Sequence, residues 1–111
     1  MDFDISIFIY SADQLTFSED NIFSVKRFNS DIKISYRKII SGLNLNQSIV
    51  SFFSDIESTY NINKKNEITL MIGVFCDVNK EITANAFIDK KSMALISSMG
   101  INLEVSYYPS I

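Results

Sequence analysis

Apolar and polar residues alternate with period two along three segments of the chain. The first is DFDISIFIY at residues 2–10, the second is EITLMIGVFCDV at residues 67–78, and the third is INLEVSYY at residues 101–108. This alternation is typical of a β-strand that turns one face to a core and the other to solvent. Pro109 is expected to end the third strand, because proline cannot donate to a strand ladder.

Three shorter segments are also predicted to be strands. IFSVKRF and IKISYRKII, within residues 22–40, are rich in β-branched and aromatic residues, and the NSD between them is suited to a hairpin turn. ITANAFI, residues 82–88, follows the short turn NKE. We expect it to fold back as an antiparallel partner of the strand before that turn.

Two segments instead show the three- and four-residue spacing of an amphipathic helix. The apolar positions of the first run from Leu45 to Tyr60. The second is predicted to begin at Asp89, a good N-cap, and to end at Gly100, which can adopt the positive φ that closes helices. Its expected buried stripe consists of Met93, Ile96 and Met99.

These elements predict one domain, residues 1–111, with an α+β fold. The chain has 111 residues and 47% hydrophobic content, which suffices for one core. We expect a mainly antiparallel sheet with two helices packed on one face.

The sequence favours a cytoplasmic protein. The first 20 residues carry five acids and no base, whereas a signal peptide begins with basic residues. No apolar run approaches the roughly 20 residues that cross a bilayer, so no membrane partner is expected. A single cysteine, Cys76, cannot form an internal disulfide, which fits a reducing compartment.

Charge is unevenly distributed along the chain, although the net charge is only −3. Residues 1–20 sum to −5, and residues 21–50 sum to +4. In the basic segment, lysine and arginine are interleaved with Phe28 and Tyr36, a pattern that single-strand nucleic-acid grooves also show. Because the rest of the chain is acidic and the pI is about 4.8, a nucleic-acid partner is not expected.

The residue types that perform most acid–base and nucleophilic chemistry are sparse. The chain contains no histidine, which excludes Ser-His and Cys-His nucleophile systems. Cys76 lies on the predicted core side of its strand and is interpreted as a buried apolar residue. The pairs Asp2/Asp4 and Asp55/Glu57 could do acid–base work or hold a divalent ion, but solvated surface charge is the favoured interpretation. We therefore expect no enzyme, no catalytic residue, no cofactor and no metal.

The side of the sheet facing away from the helices is the most informative predicted surface. If the three alternating strands at residues 2–10, 67–78 and 101–108 share one sheet, this side collects carboxylates and large aromatic rings without any lysine or arginine from those strands. An ordinary solvated face is one interpretation. The other is a protein-binding surface, because interfaces use aromatic anchors. The candidate partner-binding residues, including two from the acidic loop that precedes the hairpin, are Asp2, Asp4, Phe8, Tyr10, Glu19, Asp20, Phe75, Asp77, Glu104 and Tyr108.

The C-terminal half resembles a known group of proteins. The order of the elements and the segment FIDKKSMALISSMGINLEVSYY resemble small bacterial α+β domains of unknown function that end in a helix, a glycine and a strand with a terminal tyrosine. Small acidic proteins of this build are similar to immunity proteins that protect bacteria from contact-dependent growth inhibition toxins. The resemblance covers roughly residues 67–108 and transfers no functional residue.

The resemblance implies a function without catalysis. Such immunity proteins bind one cognate toxin domain, often a nuclease with a basic active site, and block the entry of its substrate. An acidic surface suits that task because it can replace phosphate charge and speed the encounter with a basic cleft. The alternatives are a non-catalytic ligand-binding or self-associating subunit, with a homo-oligomer not favoured, and a small enzyme that uses carboxylates or a metal.

Overall fold

The computed structural model describes residues 2–11, 16–37, 40–41, 44–60, 62, 66–80 and 86–110. These residues form an α+β fold with six strands and two helices. The elements in chain order are β1 (Asp2–Ile9), β2 (Phe23–Phe28), β3 (Asp31–Tyr36), β4 (Ile40–Ser41), α1 (Leu45–Thr59), β5 (Ile68–Asp77), α2 (Lys90–Ser98) and β6 (Asn102–Ser110).

All six strands belong to one sheet, which is mainly antiparallel. The strand order is β2-β3-β1-β5-β6, and β4 pairs with β1 beyond the end of β3. The predicted hairpin is confirmed, since β2 and β3 pair antiparallel around the turn at Asn29 and Ser30. Asn29 has a φ of 51°, a value that Asn tolerates better than most residues.

The alternation in the sequence matches the two faces of the sheet. In the β1–β5 ladder, Phe3 lies opposite Val74 and Ile7 opposite Leu70, and all four side chains are buried. The side chains at the alternate positions, such as Asp4 and Ser6, point to the other side, which we call the outer face. The inner face therefore holds the core, and it is the face that both helices cover.

Helix α1 supplies most of the core that lies over the sheet. Its buried residues recur at helical spacing: Leu45, Ile49, Phe52, Phe53 and Ile56. The ring of Phe52 packs 4.7 Å from that of Tyr36 and 5.9 Å from that of Phe23, measured between ring centroids. This aromatic cluster fixes α1 over the β2–β3 end of the sheet.

Helix α2 is shorter than α1 and has fewer buried residues. The carboxylate of Asp89 accepts a 2.8 Å hydrogen bond from the backbone N–H of Ser92, which confirms the predicted N-cap. Gly100 follows the helix with a φ of +64°, as expected. The buried stripe was predicted incorrectly at one position: Ser92 and Ile96 are buried, whereas Met93 is 49% exposed.

The C-terminal part of the sheet differs from the prediction in two ways. Residues 82–85 of the predicted strand lie outside the described residues, and 86–88 carry no regular secondary structure. The strand that pairs with β5 on this side is β6, and it runs parallel to β5 with α2 as the crossover. Pro109 does not end β6, because the ladder continues to Asp77 and Ser110. Proline is tolerated there because, among the residues that the structure describes, β6 is the last strand on this side of the sheet.

Candidate functional site

The outer face brings together carboxylates and aromatic rings from β1, β5 and β6. These three strands are adjacent, as the sequence interpretation required. Asp2, Phe75 and Tyr108 occupy one row across them, and Asp4, Gly73 and Ser106 occupy the next. Glu104 lies on the same side one row further along β6. We call the following set the acidic-aromatic patch: Asp2, Asp4, Phe75, Glu104 and Tyr108.

Gly73 forms the floor of this patch. The rings of Phe75 and Tyr108 are stacked, with centroids 5.1 Å apart and an interplanar angle of 18°. A Cβ at Gly73 would lie 3.2 Å from Cε2 of Tyr108 and 3.5 Å from Cβ of Asp4. The missing side chain therefore lets the Tyr108 ring lie against the sheet beside Asp4.

The exposure of the patch leaves it accessible to a partner. Tyr108 is 48% exposed, and Asp2 and Glu104 are also exposed, whereas Asp4 and Phe75 are half-buried. Neighbouring strands lie about 4.8 Å apart, so Asp4 on β1 and Glu104 on β6 are roughly 10 Å apart perpendicular to the strands and a further two residues, roughly 7 Å, apart along them. The carboxylates thus flank a ring pair that is held in a fixed position.

A second group of rings occupies the opposite end of the outer face. Phe8 lies 4.9 Å from Tyr10 and 5.9 Å from Phe28, again between ring centroids. Phe8 is half-buried, while Tyr10 and Phe28 are exposed. Two of these residues were predicted site residues, and they belong to this separate cluster.

The outer face as a whole is not uniformly acidic. Lys26 on β2 and Lys33 on β3 lie directly opposite each other on this face, and Lys33 lies beside Phe8 of β1. Like charges in this position repel one another. An open depression of about 390 Å³ separates the two halves, with Asp4 and Phe75 on one side and both lysines on the other. The face is therefore divided into the acidic-aromatic patch and a basic pair.

Glu19 and Asp20 do not join the acidic-aromatic patch. The carboxylate of Asp20 accepts hydrogen bonds from the backbone N–H groups of Ile22 and Phe23, at 2.8 and 2.7 Å. Glu19 forms an ion pair with Arg37 at 3.4 Å. Asp20 thus fixes the turn that leads into β2, and Glu19 ties the preceding loop to Arg37, directly after β3.

Asp77 also has a local structural role. One carboxylate oxygen accepts a 3.0 Å hydrogen bond from the backbone N–H of Asn79, and the other lies 3.9 Å from Nζ of Lys80. These contacts hold the turn after β5. Asp77 lies at the margin of the outer face, beyond the row that contains Phe75 and Tyr108.

Sequence reasoning missed two features of this face. The role of Gly73 depends on a ring 35 positions later, although a glycine inside a strand does signal a close approach. Lys26 and Lys33 share the face only because β3 pairs with β1, and periodicity does not reveal strand order.

The interior offers few titratable groups. Burial, and next the hydrogen bond to Asp55, raise the pKa of the Tyr36 phenol well above its usual range. Burial, and next the charge of Asp20, raise the pKa of Tyr60.

Cys76 is only 2% exposed, in agreement with the prediction. Within the part of the chain that the structure describes, no group of three acidic, cysteine or histidine residues is arranged to hold a metal ion.

The helices of the described residues include none that is both long and apolar enough to cross a membrane. Comparisons with protein-family models, with curated proteins and with solved structures find no significant match to the chain.

Proposed function

We propose that this protein is an immunity protein that acts in the cytoplasm by binding a cognate toxin domain, a nuclease with a basic active site. The acidic-aromatic patch is the surface that docks on that active site and blocks the entry of its substrate. The observation that carries the proposal is the placement of Asp4 beside the Phe75–Tyr108 stack.

The chemistry of the patch supports a protein partner. Aromatic rings dominate the energetics of interfaces because they bury much surface and lose little entropy on binding. The Phe75–Tyr108 stack is held in place by Gly73 beneath it, so few conformations are lost when a partner docks. The carboxylates on both sides can steer a cationic surface towards these rings.

The division of the outer face sets the orientation of the partner. A basic cleft is attracted to Asp2, Asp4 and Glu104 and repelled by Lys26 and Lys33 at the other end. We therefore place the centre of the contact on β1, β5 and β6. The second ring cluster, around Phe8, then lies at the rim of the contact.

The direct test is binding to the toxin domain encoded beside the gene for this protein. We expect the purified chain to bind that domain and to inhibit its nuclease activity. Expression of the chain should also restore growth to cells that produce the toxin. The proposal is abandoned if the chain neither binds the domain nor rescues growth.

A charge reversal on the patch locates the contact. Glu104→Lys should weaken binding at least about tenfold and slow association most at low salt, because it replaces attraction by repulsion. The matched control is Glu57→Lys, at an exposed site on α1. Equal effects of both substitutions would place the contact elsewhere. Far-UV circular dichroism verifies that both variants are folded.

A further inference from the structure

We propose that two copies of this protein form a symmetric dimer by antiparallel pairing of their β6 strands. The inference does not depend on the proposed toxin partner, because it concerns the edge of the sheet, although it involves Glu104 and Tyr108 of the acidic-aromatic patch.

The edge at β2 is better protected against pairing than the edge at β6, where Pro109 near the C-terminal end is the main safeguard. β2 spans six residues and carries Lys26 and Arg27 next to each other. Charged residues on a short edge strand are a common protection against edge-to-edge association. β6 spans nine residues, with Glu104 as its single charged residue. Among the described residues, no strand pairs with the outer side of β6.

The inner side of β6 is also poorly covered by α2. In register, Leu103 and Val105 lie beside the buried residues Leu70 and Ile72 of β5. Yet Leu103 is 36% exposed, Val105 49% and Tyr107 51%. An open depression of about 350 Å³, lined by Val74, Ala86, Val105 and Tyr107, lies on this side. The strand thus presents apolar side chains that the fold itself does not bury.

A second copy of β6 complements this strand. A two-fold axis at Ser106, the midpoint of Asn102–Ser110, brings all nine positions opposite one another, although Pro109, which faces Leu103, has no N–H to donate to the ladder. In that register, Val105 faces Tyr107 on the inner side and Glu104 faces Tyr108 on the outer side. Like charges do not oppose each other, and the Glu104 carboxylate faces a phenol that can donate a hydrogen bond.

The available area fits a weak dimer. Tyr107 and Tyr108, exposed by 51% and 48%, contribute roughly 200 Å² of ring surface per copy, since an aromatic side chain covers about 200 Å². The two copies together thus contribute about 400 Å² from these rings. Leu103, Val105 and the paired backbones add to it, but the contact stays below the about 1,200 Å² of stable specific interfaces, in the range of transient complexes.

The dimer would place the two acidic-aromatic patches side by side. Glu104 and Tyr108 lie on the outer face of β6, so the two-fold axis joins the patches of both copies across the new strand pair. A partner with two basic sites would then gain from simultaneous contact.

Light scattering coupled to size-exclusion chromatography tests the mass of the full-length protein. We expect a concentration-dependent dimer. Val105→Lys, which puts a charge on the edge, should raise the dimer dissociation constant at least about tenfold. Val50→Lys is the matched control, since Val50 is 45% exposed on α1, and it should leave the dimer unchanged. A monomer up to about 100 µM, or equal effects of both variants, would overturn the proposal.

A cross-linking experiment tests the register without a destabilising charge. Ser106→Cys places a thiol at the two-fold axis, so mild oxidation should give a covalent dimer. Asn102→Cys faces Ser110 in this pairing and should cross-link much less. The native Cys76 is buried and does not interfere. If Asn102→Cys cross-links as efficiently as Ser106→Cys, the proposed register is refuted. If neither variant cross-links, the β6 pairing itself is refuted.

Discussion

The hydroxyl of Tyr36 donates a 2.9 Å hydrogen bond to Oδ2 of Asp55, which joins β3 to α1. The ring of Tyr36 stacks on Phe23 at 5.6 Å and also contacts Phe52. One residue therefore combines aromatic packing with a polar bond at the margin of the core. This combination links the stability of the fold to pH in the alkaline range.

Tyr36→Phe should lower the free energy of unfolding by about 1–2 kcal/mol at neutral pH, because the Asp55 carboxylate loses a donor. Ser51→Ala is the control, since it removes a hydroxyl at an exposed position of the same helix. Its effect should stay within about 0.5 kcal/mol. Urea denaturation followed by circular dichroism measures both values. A neutral result for Tyr36→Phe would show that the hydrogen bond contributes nothing to stability.

The same variant should change the pH dependence of stability. The folded state raises the pKa of Tyr36 above the unfolded value of about 10, so between these values the folded chain holds a proton that the unfolded chain has released. Stability is therefore complete below pH about 10 and decreases as pH rises above it. Tyr36→Phe should make this decrease shallower. Part of it should remain, because the pKa of Tyr60 is raised as well.

The sequence predicted the elements of the fold better than their arrangement. Period-two alternation located β1 and β5, because each turns one side to the core and the other to the outer face. Helical spacing located α1 from Leu45 onwards for the same reason. Period-two alternation also located β6, although the inner side of β6 is only partly covered. These signals are local, since each depends only on which side of an element is buried.

The parallel pairing of β6 with β5 could not be predicted in this way. Alternation is the same for a parallel and an antiparallel partner, so the direction of the neighbour leaves no periodic signal. Lys26 and Lys33 illustrate the same limit at the site. Their positions on the outer face follow from the β3–β1 pairing, which joins residues more than 20 positions apart.

The side chain of Asn46 fastens the start of α2 to α1. Its Nδ2 donates a 2.9 Å hydrogen bond to the carbonyl of Phe87, and its Oδ1 accepts one of 2.9 Å from the N–H of Asp89. Asn46→Ala should cost about 1–3 kcal/mol, because it leaves both backbone groups without this partner. Asn44→Ala is the control, since Asn44 precedes α1 but makes no side-chain capping bond. If Asn46→Ala and Asn44→Ala lower the stability in thermal unfolding by similar amounts, this role of Asn46 is contradicted.

Gly100 permits the tight connection between α2 and β6. Its φ of +64° is unfavourable for any residue with a Cβ, although no atom would lie within 4 Å of that Cβ. Gly100→Ala should therefore cost about 1 kcal/mol through backbone strain alone. Gly100→Asn should cost less, because Asn tolerates this conformation better. Chemical denaturation ranks the stabilities of the two variants. If Gly100→Asn is less stable than Gly100→Ala, a side-chain contact and not backbone strain determines the effect.

The contact between Gly73 and Tyr108 should appear as coupling between two substitutions. A Cβ at Gly73 would lie 3.2 Å from Cε2 of Tyr108, so Gly73→Ala must displace the ring by a few tenths of an ångström. The alanine also reduces the entropy of the unfolded chain, which offsets this cost and keeps the net change within about 1 kcal/mol. In a Tyr108→Ala background the close contact is gone, so Gly73→Ala should stabilise the protein by about 0.5–1 kcal/mol. Denaturant unfolding of the four proteins gives the coupling energy, and a value of zero would show that the ring does not rest on Gly73.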